Sequence, residues 1–153
     1  MSTLNPVRMA ELAQRTLTKE GDEGFRMEQA VLFAYCAEGF RVLATAGDIY
    51  EGLASLPFHE TLNAYEEGIG IITTGWASPI PPDCYEGEEI APSEHPARQR
   101  VRLSSCVTRD GKMGSAMAFQ ADPDDLVTDE GEATGSLAEA LHIALLRLIA
   151  KQN

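Results

Sequence analysis

The chain has 153 residues and a formal net charge of −12, from 24 acidic and 12 basic side chains. This negative field repels DNA and anionic membranes, and it argues against direct nucleic-acid binding and against membrane association. Apolar residues make up 44% of the chain, enough to bury a core, and the length fits one domain over residues 1–153.

The first half of the chain is predicted to be helical. Asn5 and Pro6 are typical of a helix start, and apolar residues then recur at helical spacing as far as Leu17. The segment 21–24 contains two glycines and is expected to end this helix.

A second, longer helix is predicted over residues 26–46. Residues 31–37 are apolar on every side, which is typical of a helix that is covered on more than one face. This helix is expected to be the hub of the fold. Shorter helical pieces are expected over 48–56, ended by Pro57, and over 59–67.

The second half is predicted to form the sheet. Strands are expected over residues 68–77, 98–108 and 113–120, with Asp110–Gly111 as a type I′ hairpin turn between the last two. Residues 78–97 contain five prolines and residues 121–135 contain six carboxylates, so both segments are predicted to be loops.

A helix that begins at Ser136 is expected to complete the fold, with an inward stripe of apolar residues. The fold class is therefore predicted to be α+β. An antiparallel sheet of about three strands has helices packed on it, in the order helices, strand, long loop, β-hairpin, helix. The face of the sheet that carries alternate arginines is expected to stay wet.

The strand over residues 98–108 carries the strongest candidate for a binding site. Arg98, Arg100 and Arg102 lie on one face of it, about 6–7 Å apart, and such a row of guanidinium groups can bind phosphate or carboxylate groups. Internal pairing of these arginines with the acidic loops is the favoured alternative. Trp76 could form the floor of a pocket, so the predicted ligand-binding residues are Trp76, His95, Arg98, Arg100 and Arg102.

No catalytic set is predicted, and whether the protein is an enzyme is left open. The cysteines at 36, 84 and 106 form no paired spacing, which favours free thiols and a cytoplasmic location. Cys84 and His95 could meet as a nucleophile and base, but their spacing does not require it. No metal site and no cofactor is predicted, because the metal-binding and nucleotide-binding motifs are missing.

Two blocks of sequence carry a resemblance. One comprises residues 73–77 (TTGWA), 92–96 (PSEHP) and the arginine strand, and the other comprises residues 128–131 (TDEG) and 133–140 (ATGSLAEA). Together they resemble short actinobacterial proteins of unknown function, mainly over residues 70–140. The resemblance implies a bacterial, cytoplasmic origin and carries no activity with it.

Three functional hypotheses follow. The leading one is a small, acidic, non-catalytic interaction or accessory module with a protein partner, since no motif assembles an active site. The alternatives are an enzyme or binding protein for an anionic small molecule, with the arginine strand as the clamp, and an acidic mimic of nucleic acid. A homodimer through an apolar sheet edge or helix face is a further expectation.

Overall fold

The computed structural model describes residues 4–77, 99–132 and 135–152. The elements within these residues are, in chain order, α1 (Pro6–Thr16), a 3₁₀ turn (Gly21–Phe25), β1 (Ala30–Cys36), β2 (Gly39–Ala46), α2 (Ile49–His59), β3 (Gly68–Ala77), β4 (Gln99–Thr108), β5 (Lys112–Phe119), β6 (Asp122–Glu132) and α3 (Ser136–Gln152).

The strands form one antiparallel sheet in the order β2-β1-β3-β4-β5-β6. The predicted α+β class is confirmed, but the prediction of about three strands is wrong, since six are seen in the described residues. The sequence prediction missed β1 and β2, which it assigned to a helix, and β6, which it assigned to a loop.

Helices cover the sheet on both faces. Helices α2 and α3 pack on one face, where leucines of the helices meet Leu32, Ile69 and Ile71 of the central strands. Helix α1 packs on the other face, against a core that includes Phe33 and Cys106. The expected wet face is therefore wrong for β4, because α1 and the 3₁₀ turn lie over its arginines.

The predicted helix over residues 26–46 is wrong, and with it the helical hub. Residues 30–36 form β1, which lies inside the sheet between β2 and β3, and its side chains alternate between the two cores. A strand that is buried on both faces has a continuous apolar run without alternation, the same pattern that a buried helix has. Gly39, with a φ of +143°, makes the turn into β2.

The predicted loop over residues 121–135 is also wrong, because residues 122–132 form β6 at the edge of the sheet. All but one of the β6 residues are exposed. Carboxylates and proline are rare in central strands but are tolerated at an edge, where they face water and discourage unwanted pairing. The acidic composition therefore marks an edge strand.

Several local predictions are confirmed. Asn5 accepts hydrogen bonds from the N–H groups of Val7 and Arg8 and so caps α1. The strands β3 and β5 lie where they are expected, and β4 begins at Gln99. The inward stripe of α3 is buried, including Leu141, Leu145 and Leu148.

Other local predictions need correction. Pro57 does not end α2, which continues to His59. Lys151 of α3 donates to the carbonyl oxygens of Pro57 and Glu60, at 2.7 and 3.0 Å, and so satisfies carbonyls at this helix end. Residues 60–67 are irregular, so the short helix expected over 59–67 is wrong.

The turn between β4 and β5 is confirmed in position but not in type. Gly111 has a φ of +84° and no non-glycine residue of the described chain has a positive φ. A type I′ turn needs positive φ at both central residues, which Asp110 does not supply. The geometry fits a tight turn that is followed by one left-handed glycine.

In the described parts of the chain, none of the helices combines the length and the apolar character needed to cross a bilayer.

Candidate functional site

The candidate site lies on the face of β4 that carries Arg100 and Arg102. Arg100 is directly opposite Trp76 in the β3–β4 pairing, and its guanidinium carbon lies 4.4 Å from the centre of the Trp76 ring. Its Nη1 donates to the carbonyl oxygen of Phe25 at 3.3 Å. Its Nε is buried without a hydrogen-bond partner in the described structure. The predicted pair of Trp76 and Arg100 is therefore brought together as a stacked pair.

Arg102 is more deeply buried, with only 8% of its surface exposed. Its Nε donates to Oε1 of Gln14, and its Nη1 donates to the carbonyl oxygen of Gly24 at 3.3 Å. The guanidinium also lies 4.5 Å from the centre of the Phe25 ring. Burial lowers the pKa of the Arg102 guanidinium.

The two arginines therefore connect β4 to the 3₁₀ turn, and Arg102 connects it also to α1. The expected pairing with acidic segments is not seen for either of them within the described residues, where their partners are neutral oxygens and aromatic rings. Arg98 and His95, the other two predicted ligand-binding residues, lie outside the described residues, as does the predicted loop over residues 78–97.

Gln14 is a site residue that the sequence analysis missed. It is 1% exposed, and its Nε2 donates to the carbonyl oxygens of Arg102 and Ala116, at 2.9 Å each. Ser104 extends this network, since its Oγ donates to the carbonyl oxygen of Ala10 at 2.6 Å. The sequence does contain a signal for this residue. Gln14 follows Ala10 by four positions and lies on the same face of the helix, so a buried polar side chain could be expected there.

The described thiols do not form a nucleophilic site. Cys36 and Cys106 are free and buried, and burial raises the pKa of the Cys106 thiol far above its ordinary range. A thiol in that state is inert, because the thiolate is the nucleophile. Cys84, the thiol that could meet His95 as a nucleophile, lies outside the described residues.

A second polar centre connects β2 to the irregular segment 60–67. Glu66 is 2% exposed and receives two hydrogen bonds from Arg41, at 2.6 and 3.1 Å. Arg41 also donates to the carbonyl oxygen of Thr61 at 2.8 Å. The hydrogen bond to Glu66 raises the pKa of Arg41. This pair holds the segment against the sheet, and we assign it a structural role.

Among the residues that the structure describes, no three metal-ligating side chains form a group that could hold an ion. The acidic run is spread along the extended strand β6, where consecutive side chains point to opposite faces.

The free edge of β6 is the other distinctive surface. Six of its eleven residues are carboxylates, and Glu132 is the one that forms an ion pair in the described chain, with Lys112 at 3.0 Å. Val127 is 53% exposed. The pairing with β5 is irregular between Met117 and Phe119, so the regular part of the strand is residues 127–132.

Comparison with protein-family models, with curated protein sequences and with solved structures found no match. The resemblance to short actinobacterial proteins stays a prediction.

Proposed function

We propose that the protein is a non-catalytic interaction module that binds a basic, extended segment of a partner protein at the free edge of β6. The observation that carries the proposal is this strand itself. It is acidic, it is exposed, and within the described residues it pairs with β5 alone. A sheet edge presents unpaired N–H and C=O groups, to which an extended peptide can add as a further strand.

The negative charge of β6 makes it a better site for a basic peptide than β2, the other edge strand of the sheet. The strand β2 carries Arg41 and no carboxylate, so it offers a basic peptide no attraction. On β6 the regular residues 127–132 carry three carboxylates and the exposed side chain of Val127, which suits a peptide that alternates basic and apolar residues.

Self-association through β6 is disfavoured, because two copies would bring six carboxylates against six. The expected homodimer is therefore not part of this proposal. A cytoplasmic location is part of it, supported by the two free thiols Cys36 and Cys106.

The test uses a synthetic peptide that alternates lysine and valine over eight residues, and a second peptide of the same sequence with alternate backbone amides methylated. Methylation keeps the charge and removes hydrogen-bond donors. We expect the first peptide to bind, as measured by isothermal titration, and the methylated peptide to bind much more weakly. The NMR signals that shift on binding are expected to belong to residues 127–132.

A pair of variants separates local charge from net charge. Asp129→Asn with Glu130→Gln removes two charges from β6, while Glu28→Gln with Glu38→Gln removes two exposed charges elsewhere. The first is expected to weaken binding by roughly 2- to 30-fold, and the second to have a smaller effect. Equal binding by the methylated peptide, or equal losses in the two double variants, would show simple charge attraction and would contradict strand addition. Such charge attraction is what the nucleic-acid mimic predicts.

A further inference from the structure

A cleft of about 440 Å³ lies between the end of α1, the residues that follow it and the beginning of β6. The buried Arg102 forms part of its wall, and the exposed side chains of Arg15 and Lys19 line it from the α1 side. Asp124 of β6 and Glu20 also line it. Three cations and two carboxylates therefore surround the cleft, in a chain whose overall charge is strongly negative.

Arg102 is a buried cation for which the described residues supply no anionic partner. Within the described residues, no carboxylate lies within 4.0 Å of its guanidinium, and its acceptors are Gln14 and the carbonyl oxygen of Gly24. The Nη2 atom of Arg102 makes no hydrogen bond to any of the described residues. Removing a charge from water without a counter-ion is unfavourable, so an anion beside Arg102 would offset part of this cost.

The cations on the α1 side are available to a ligand. Lys19 is 4.0 Å from Glu23, and both side chains are about four-fifths exposed, so this contact is weak. Arg15 appears in none of the ion pairs of the described residues. Guanidinium and ammonium groups on one cleft are the groups that bind phosphates and carboxylates.

We propose that this cleft binds a small molecule through a phosphate or carboxylate group, with the guanidinium of Arg102 as the inner cation and Arg15 and Lys19 as the outer cations. A small anion fits better than a nucleic acid, because the overall negative charge repels a long polyanion. The site is independent of the proposed peptide-binding edge, which lies on residues 127–132.

The test measures binding of inorganic phosphate and of acetate by NMR titration of the labelled protein, at constant ionic strength with chloride as the reference anion. We expect shifts at Gln14, Arg102 and their neighbours that chloride does not produce. The anion that binds with the higher affinity, phosphate or acetate, identifies the chemical group that the cleft prefers. If neither anion differs from chloride, the proposal is overturned.

Variants on the exposed side of the cleft keep the test valid if Arg102 cannot be replaced without loss of the fold. Arg15→Gln with Lys19→Gln is expected to weaken anion binding by roughly 2- to 30-fold, while the control, Arg8→Gln with Arg26→Gln, makes the same charge change outside the cleft. Asp124→Asn removes an opposing carboxylate and is expected to tighten binding. Equal losses in the two double variants, or an affinity that Asp124→Asn leaves unchanged or reduces, would refute the site.

Discussion

The network around Gln14 gives the most direct test of how α1 is attached to the sheet. Replacing Gln14 by methionine keeps the length of the side chain and removes its polar atoms. Two hydrogen bonds to the carbonyl oxygens of Arg102 and Ala116 are lost, together with the bond from Nε of Arg102. Each bond between neutral groups contributes about 0.5–1.5 kcal/mol and the one from a charged group about 1.5–3 kcal/mol. We therefore expect the free energy of unfolding to fall by about 2.5–6 kcal/mol.

The measurement is urea denaturation followed by far-UV circular dichroism and by the fluorescence of Trp76, the one tryptophan of the chain. The control is Gln120→Met, because the side chain of Gln120 makes one exposed hydrogen bond in the described structure, to Asp22 at 2.9 Å. That change is expected to cost less than about 0.5 kcal/mol. A loss below about 1 kcal/mol for Gln14→Met, with an unchanged denaturant slope, would refute the network as an anchor of α1.

Two further predictions concern the core. A methyl group on Gly114 would clash with the backbone nitrogen of Val7, so Gly114→Ala is expected to cost about 1–3 kcal/mol in thermal denaturation. A methyl group on Gly131 would meet no neighbouring atom of the described residues within 4 Å, so Gly131→Ala should cost little. Equal effects of the two changes would contradict the close approach of α1 to β5. Burial raises the pKa of the Tyr35 hydroxyl and of the Cys106 thiol above their ordinary values. The unfolded chain therefore releases these protons at a lower pH than the folded chain does, and the free energy of unfolding falls as the pH rises above about 9–10. In the Tyr35→Phe variant, the free energy of unfolding should fall less steeply between pH 10 and 11.5 than in the original protein, by up to about 1.4 kcal/mol per pH unit. The measurement is urea denaturation at a series of pH values, and an unchanged slope would contradict the raised pKa of Tyr35.

Elements with a clear local signal could be predicted from the sequence. The cap at Asn5, the β-branched run of β3 and the leucine stripe of α3 each depend on residues that are close together in the chain. The segment 26–46 could not be assigned in this way, because burial on both faces of β1 removes the alternation that identifies a strand. The strand β6 was missed for the opposite reason, since it has almost no buried face.

The candidate site was predictable in part. The alternation of arginines placed Arg100 and Arg102 on one strand face, and Trp76 indeed stacks on Arg100. Their partners could not be predicted, because Gln14 and Gly24 reach β4 only through the packing of α1 and the 3₁₀ turn, 78–88 positions away in the sequence. The composition suggested acidic partners, whereas in the described structure packing supplies neutral oxygens and aromatic rings.

The attachment of α1 has a consequence for synthesis. Gln14 bonds to Ala116, 102 positions later in the chain, so α1 leaves the ribosome before the strands that cover its apolar face exist. At about 5–20 residues per second, the wait is roughly 5–20 s. During that time the nascent chain exposes the apolar face of α1, which holdase chaperones can shield until β4 and β5 are made.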